Sequence, residues 1–98
     1  MTISNSTDGD KQVISIEGRF DFSLQGDFRK AYEKSVPSSH FVLDFTAAEY
    51  IDSSALGMLL LMRDYAGGDS AKIDIAHCRS EVKSILEISN FHKLFKIS

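Results

Sequence analysis

The sequence predicts an α/β domain in which a mixed β-sheet carries about three packed helices. Short apolar runs typical of strands alternate with segments whose apolar residues recur at helical spacing. A hairpin signal near the start makes the first two strands antiparallel, whereas helical crossovers make the later strands parallel. Because 98 residues is the length of one domain, residues 1–98 are predicted to form a single domain.

The first third of the chain is predicted to hold two strands and one helix. An Asp-Gly-Asp turn at residues 8–10 separates strands at residues 2–6 and 11–18. A helix is expected from an N-cap at Ser23 to about residue 35, and Pro37 favours its end. The apolar residues of this helix form one stripe: Leu24, Phe28, Ala31 and Tyr32.

The rest of the chain is predicted to alternate between strand and helix. The elements in order are a strand at residues 41–43, a helix from residues 52–53 to before Gly67 and Gly68, a strand at residues 72–76, a helix from a cap at Ser80 to Asn90, and an edge strand at residues 94–97. The run at residues 41–43 is continuously apolar, which predicts a strand covered on both faces.

Composition excludes several classes of function. A net charge of -3 and a pI near 5.5 disfavour binding to nucleic acid or an anionic membrane, since both polyanions would repel the chain. One cysteine, Cys78, allows no internal disulfide. The chain opens without a secretory signal, and its longest apolar run, residues 58–62, is too short for membrane insertion. We therefore expect a cytoplasmic protein.

The most informative segment joins a buried strand to the second long helix. Asp52, Ser53 and Ser54 stand at the start of that helix, where backbone N–H groups lack intrahelical partners and the helix dipole is positive. A phosphate on Ser53 would be stabilised there and would add about 1.5 to 2 negative charges. An Asp-Ser-Ser sequence before an apolar run is also an ordinary helix cap, and by spacing alone the cap is the commoner interpretation.

A family resemblance adds to this pattern. Leu43-Asp44-Phe45 followed by Asp52-Ser53-Ser54-Ala55-Leu56-Gly57 resembles the motif of the STAS domain family, and in particular of the bacterial anti-sigma factor antagonists. Weaker similarity at residues 16–21 and 88–95 extends the resemblance over nearly the whole chain. Many members continue into a further C-terminal helix, which is expected to be missing because this sequence stops at Ser98.

The resemblance implies a function without catalysis or cofactor. The residue after the motif aspartate is the one phosphorylated in the family, and here it is Ser53. Asp52 would hold the helix start and shape the recognition surface. The implied partners are a serine kinase that doubles as an anti-sigma factor and a PPM-type, metal-dependent serine phosphatase. The unphosphorylated protein would bind the kinase partner, and phosphorylation would release it.

The helix after Ser53 is apolar nearly all round, more than a core requires. One side holds Ala55, Leu59, Met62 and Ala66, with Leu56 and Leu60 adjoining. The other side is predicted to be a partly exposed partner surface beside Ser53, formed by Ser54, Gly57, Met58, Leu61 and Tyr65. The alternative is that neighbouring elements bury both sides.

Other sites and functions carry less support. His40, His77 and His92 lie far apart and lack metal-ligand spacing, so no metal site is expected. His77 and Cys78 are adjacent at a strand end and would point to opposite faces. Two rival functions stay open: a constitutive STAS interaction subunit of a transport or signalling complex, with Ser53 only a cap, and a small hydrolase or transferase acting through Ser53 or His77. No Gly-x-Ser-x-Gly nucleophile elbow supports the second rival.

Overall fold

The computed structural model describes residues 3–34 and 40–98, and it confirms the mixed-sheet α/β architecture with three helices. A five-stranded sheet has the order β1-β2-β4-β6-β7, with β1 antiparallel to β2 and the other neighbours parallel. Its strands are β1 (Ile3–Asp8), β2 (Lys11–Ile16), β4 (His40–Asp44), β6 (Lys72–Ala76) and β7 (Lys96–Ile97), and the two remaining strands are β3 (Gly18–Phe20) and β5 (Ala48–Ile51).

β3 and β5 form a separate two-stranded parallel sheet, which the sequence did not reveal. The predicted second strand ran through residue 18, but Gly18 has a φ of +76° and turns the chain after β2. β5 was missed because its residues lack a clear alternation of apolar and polar side chains. The two strands have three and four residues, and their inward side chains Phe20, Ala48 and Ile51 are buried in the core.

The helices are α1 (Gln25–Glu33), α2 (Ser53–Tyr65) and α3 (Ser80–Ile88). The predicted cap at Ser23 is wrong, because a 3₁₀ turn at Phe22–Leu24 precedes α1 and Asp21 caps it. The predicted cap at Ser80 is also wrong: Ser80 is already helical, and the N-cap position is Arg79. The predicted helix end at residue 35 and the role of Pro37 lie outside the described residues.

The predicted C-terminal stops are confirmed for α2 and α3. Gly67 has a φ of +118° after α2, and Asn90 has a φ of +63° after α3. These left-handed conformations end a helix at low cost in glycine and asparagine. The last strand is shorter than predicted, because a 3₁₀ turn at Phe91–Lys93 precedes it.

One hydrophobic core lies on the inner face of the main sheet. The inward residues of its three central strands are buried, namely Ile14, Ile16, Phe41, Leu43, Ile73 and Ile75. Val42 points to the opposite face and is only half-buried, so the prediction of a strand covered on both faces is wrong at that residue. Within residues 3–34 and 40–98, no helix combines the length and apolar character needed to cross a membrane.

The small sheet places the starts of α1 and α2 next to each other. Phe20 is opposite Ile51 in its register, and the Asp52 N–H donates to the Phe20 carbonyl at 3.4 Å. The helices that follow run in the same direction, and Tyr32 and Tyr65 meet near their C-termini with ring centroids 5.2 Å apart. α1 and α2 therefore lie side by side and present a shared outer surface, and Asp52 stands at the α2 start of that surface.

Candidate phosphorylation site and partner surface

Asp52 and Ser53 occupy the start of α2 in the arrangement that the motif predicts. Asp52 has an extended backbone, and its carboxylate accepts the Ala55 N–H at 3.0 Å as the N-cap of the helix. Ser53 is the first helical residue and is exposed. Among the described residues, no hydrogen bond engages the Ser53 hydroxyl. Capping thus falls to Asp52, and the serine hydroxyl faces solvent at the positive end of the helix dipole.

The adjoining loop after β3 presents a second aspartate cap. Asp21 accepts hydrogen bonds from the Ser23 hydroxyl and the Ser23 N–H, and these bonds, with the charge of Arg19, lower the pKa of its carboxyl. Arg19 lies 3.7 Å from Asp21 and 4.4 Å above the Tyr50 ring. Two aspartate caps therefore stand at the ends of adjacent strands, and Arg19 is the counter-charge of one of them. A phosphate on Ser53 would add negative charge beside Asp52.

Phe22 in this loop is a surface residue that sequence reasoning missed. It is 63% exposed and lies two residues after Phe20, whose carbonyl accepts the Asp52 N–H at 3.4 Å. The sequence contains one hint of an exposed ring here: Phe22 follows Phe20 and Asp21, so a second phenylalanine stands close to the end of the strand. We group Phe22 with the candidate partner surface because it is exposed and follows closely on Phe20, which contacts Asp52.

The predicted division of α2 into two sides is confirmed for the core side and partly wrong for the other. The side formed by Ala55, Leu59, Met62 and Ala66 is buried. Met58, predicted to be partly exposed, is only 4% exposed because α1 packs beside it. Leu60, placed beside the core, is instead 40% exposed. The exposed stripe is rotated toward Leu60 and consists of Ser53, Gly57, Leu60, Leu61 and Asp64.

Of the predicted partner residues, Gly57 and Leu61 belong to this stripe, whereas Ser54 and Tyr65 flank it. Leu61 is 56% exposed, and Ser54 and Tyr65 are half-buried. Leu61 and Tyr65, with the buried Met58, line a groove of about 420 Å³ between α1 and α2. Gly57 is exposed, and a Cβ atom added there would meet nothing within 4 Å.

The alternative catalytic pair at the end of β6 shows no activation. Cys78 is half-buried, and burial raises the pKa of its thiol to about 11 despite the opposing charge of Lys83. A thiol with so high a pKa is a poor nucleophile near neutral pH. Within residues 3–34 and 40–98, no three His, Cys, Asp or Glu side chains are grouped to hold a metal ion.

Asp44 of the strand motif shapes a turn and lies outside the Ser53 site. Burial opposes ionisation of its carboxylate, but hydrogen bonds from the Thr46 hydroxyl at 2.6 Å and N–H at 2.9 Å, with the charge of His77, outweigh burial and lower its pKa. Asp44 therefore holds the backbone and side chain of Thr46 in the turn after β4.

Comparison with known proteins assigns the family. The family model described as "Mlab, STAS domain" matches residues 3–96. The chain belongs to the STAS domain family. A STAS-domain containing protein of Pseudomonas aeruginosa (strain UCBPP-PA14) is 54% identical over 99 residues, which cover all of this chain and 98% of that protein.

Solved STAS structures share the fold at low sequence identity. An anti-sigma factor antagonist from Mycobacterium paratuberculosis matches with a TM-score of 0.81 and 18% identity, covering 98% of this chain and 83% of that one. The anti-sigma factor antagonist SpoIIAA in its unphosphorylated form matches with a TM-score of 0.74 and 12% identity over 98% and 86% of the two chains.

A transporter-family protein has the same STAS fold. The sulfate transporter family protein from Wolinella succinogenes matches with a TM-score of 0.75 and 12% identity, covering 90% of this chain and 73% of that one. The fold is thus found both in anti-sigma factor antagonists and in a transporter family.

Proposed function

We propose that this STAS protein is a non-enzymatic partner-switching regulator of the anti-sigma factor antagonist type, controlled by reversible phosphorylation of Ser53. The unphosphorylated form binds a serine kinase that doubles as an anti-sigma factor, and a PPM-type phosphatase removes the phosphate. The observation that carries the proposal is the exposed hydroxyl of Ser53 at the first position of α2, which makes no hydrogen bond within residues 3–34 and 40–98. SpoIIAA, which shares the fold, is known in both unphosphorylated and phosphorylated forms.

The division of labour between Asp52 and Ser53 supports a switch without refolding. Asp52 satisfies the Ala55 N–H whether or not Ser53 is modified, so the helix keeps its cap. The phosphate would be accommodated by the helix dipole and the first-turn N–H groups. It would place about 1.5 to 2 negative charges on the docking surface, enough to repel a partner that approaches with a desolvated or acidic patch.

The direct test uses a serine kinase of the anti-sigma factor type from the same organism. The purified protein is incubated with that kinase and ATP, and the phosphorylated residue is mapped by mass spectrometry. We expect a single phosphate on Ser53 and none on a Ser53→Ala variant. Ser54→Ala is the matched control, since it removes the neighbouring hydroxyl and leaves Ser53 in place. Modification of Ser53→Ala at the wild-type rate would refute the assignment.

The consequence for binding is tested with a charge mimic. Ser53→Asp should weaken binding to the unliganded kinase partner by at least about tenfold, since a carboxylate supplies part of the phosphate's charge. Its melting temperature should stay close to that of the wild type, because Ser53 is exposed and does not cap the helix. Isothermal titration calorimetry and a thermal melt measure the two quantities. A mimic that binds as tightly as Ser53→Ala would contradict the electrostatic switch.

A second function, as a constitutive interaction subunit, is supported by the same fold in a transporter-family protein. In this function Ser53 is only part of a helix start, and docking occurs through the exposed stripe of α2. Ser53→Ala would then leave every phenotype unchanged, and the protein would co-purify in fixed stoichiometry with membrane transporter subunits. The kinase assay separates the two functions, because only the switch requires modification of Ser53.

A further inference from the structure

The groove between α1 and α2 has a closed floor and two chemically different walls. Phe28, Tyr32 and Met58 form the floor and are almost fully buried. Tyr32 packs edge-on against Phe28, with ring centroids 5.4 Å apart. A floor of packed aromatic rings is rigid, so the groove does not depend on a partner to exist.

An open space at Gly26 widens the groove at the N-terminal end of α1. Gly26 lies in the first turn of α1, and a Cβ atom built on it would meet nothing within 4 Å. Its φ is not in the left-handed region, so the backbone would accept any side chain. A side chain here would fill the groove, and the fold itself does not require the glycine.

The α1 wall carries one charge of each sign, and the α2 wall is apolar. Arg29 and Glu33 stand one helical turn apart, with the Arg29 Nε 2.9 Å from a Glu33 carboxylate oxygen. This contact raises the pKa of Arg29. On the opposite wall lie Leu61, which is more than half exposed, and Tyr65, whose hydroxyl lies 3.5 Å from the Glu33 carbonyl oxygen. The groove therefore complements a ligand that is apolar on one side and charged on the other.

We propose that this groove docks an amphipathic helix of the kinase partner, with apolar side chains against Leu61 and the floor and a pair of opposite charges along Arg29 and Glu33. The proposal rests on the proposed function for the identity of the partner. An amphipathic helix has an apolar face and a charged face. Lying in the groove, it would place the apolar face against the α2 wall and the charged face against the α1 wall. Docking is thus bipartite: the groove supplies affinity, and Ser53 at the start of α2 decides whether the partner remains bound.

Two substitutions in the groove test the proposal, each with a control on the other flank of α1. Gly26→Leu fills the groove, and Asp27→Leu adds the same side chain next to it but toward β1. Arg29→Glu reverses a charge on the groove wall, and Lys30→Glu makes the same change toward β1. Asp27 and Lys30 lie beside Ile3 and Asn5, away from the groove. Binding of each unphosphorylated variant to the purified kinase is measured by calorimetry.

The expected result is a loss of affinity for the groove variants alone. Gly26→Leu should weaken the Kd by about tenfold or more and Arg29→Glu by about threefold or more, with both controls within about twofold of the wild type. Gly26→Leu should also remain at least as stable to denaturant as the wild type, since leucine is the better helix former. This excludes misfolding as the cause of weaker binding.

Failure of the groove proposal is distinguishable from failure of the switch. If Gly26→Leu binds the kinase like the wild type, or if Asp27→Leu weakens binding equally, the groove is not the docking site, although Ser53 can still be phosphorylated. If the wild type is neither bound by the kinase nor phosphorylated on Ser53, the proposed function itself is wrong.

Discussion

At the scale of single residues, Gly57 is the position where the residue best for helix stability differs most clearly from the residue expected to favour partner binding. A glycine inside a helix costs about 1 kcal/mol relative to alanine. Gly57 lies in the fifth position of α2, is exposed, and has no neighbour that a methyl group would touch. Packing therefore does not require it. A partner backbone that approaches α2 closely beside Ser53 would require it, because any side chain would hold that backbone away.

Alanine substitution at two glycines should have opposite effects on folding. Gly57→Ala should raise the free energy of unfolding by about 0.5–1 kcal/mol, because the backbone is helical and the new methyl group enters open space. Gly67→Ala should lower it by about 1 kcal/mol, since Gly67 has a φ of +118°. Urea denaturation measures both. A destabilised Gly57→Ala variant would show that the glycine serves the fold, and unchanged kinase binding by that variant would remove Gly57 from the partner surface.

At the scale of secondary structure, α2 combines a core element with a recognition element. Its buried side is centred near Met62, and its exposed stripe runs from Ser53 to Asp64. Asp52 links the two functions, because its carboxylate caps the helix and stands directly beside the hydroxyl that is proposed to be modified. The effect of changing Asp52 on stability must therefore be separated from its effect on binding.

Alanine and asparagine at residue 52 separate the cap from the charge. Asp52→Ala should lower the free energy of unfolding by about 1 kcal/mol, because the Ala55 N–H loses its acceptor. Asp52→Asn should stay within a few tenths of a kcal/mol of the wild type, since the amide oxygen can accept the same bond. Chemical denaturation followed by circular dichroism measures both values. Equal stability of all three proteins would mean that Asp52 does not cap α2 in solution.

At the scale of the whole molecule, one core joins the main sheet, the small sheet and the three helices. Phe20 of β3 packs against Phe28 of α1 and Phe45 after β4, with ring centroids 5.0 and 6.0 Å apart. These contacts fix the end of β3, and hence the start of α2, relative to the main sheet. Core packing of Phe20, and not the loop before α2, therefore fixes the position of the surface around Ser53.

Global stability should fall in alkaline solution through Cys78. The thiol has a pKa of about 11 in the folded protein and an ordinary value of 9.0, so the unfolded chain loses this proton first as the pH rises. The native state then holds more protons, and the contribution of Cys78 to stability is complete below pH 9 and is lost between about pH 9 and 11. Denaturation of wild type and Cys78→Ala across this range measures the effect. Parallel stability curves for the two proteins would contradict it.

Much of the architecture could be predicted from the sequence because it depends on local periodicity. The strands β4 and β6, the extent of α2 and the stops at Gly67 and Asn90 followed from apolar spacing and from residues that tolerate a left-handed backbone. The start of α2 followed from the cap pattern at Asp52 and Ser53, but the same reasoning misplaced the caps predicted at Ser23 and Ser80 by one or two residues.

Tertiary structure alone decided which apolar residues became surface. Met58 and Leu60 have similar hydrophobicity, but α1 covers Met58 and leaves Leu60 exposed. β3 and β5 are too short to show a periodic pattern, and their pairing places the Phe20 carbonyl against the Asp52 N–H at the start of α2. Burial depends on residues distant in sequence, whereas a helix cap depends on its immediate neighbours.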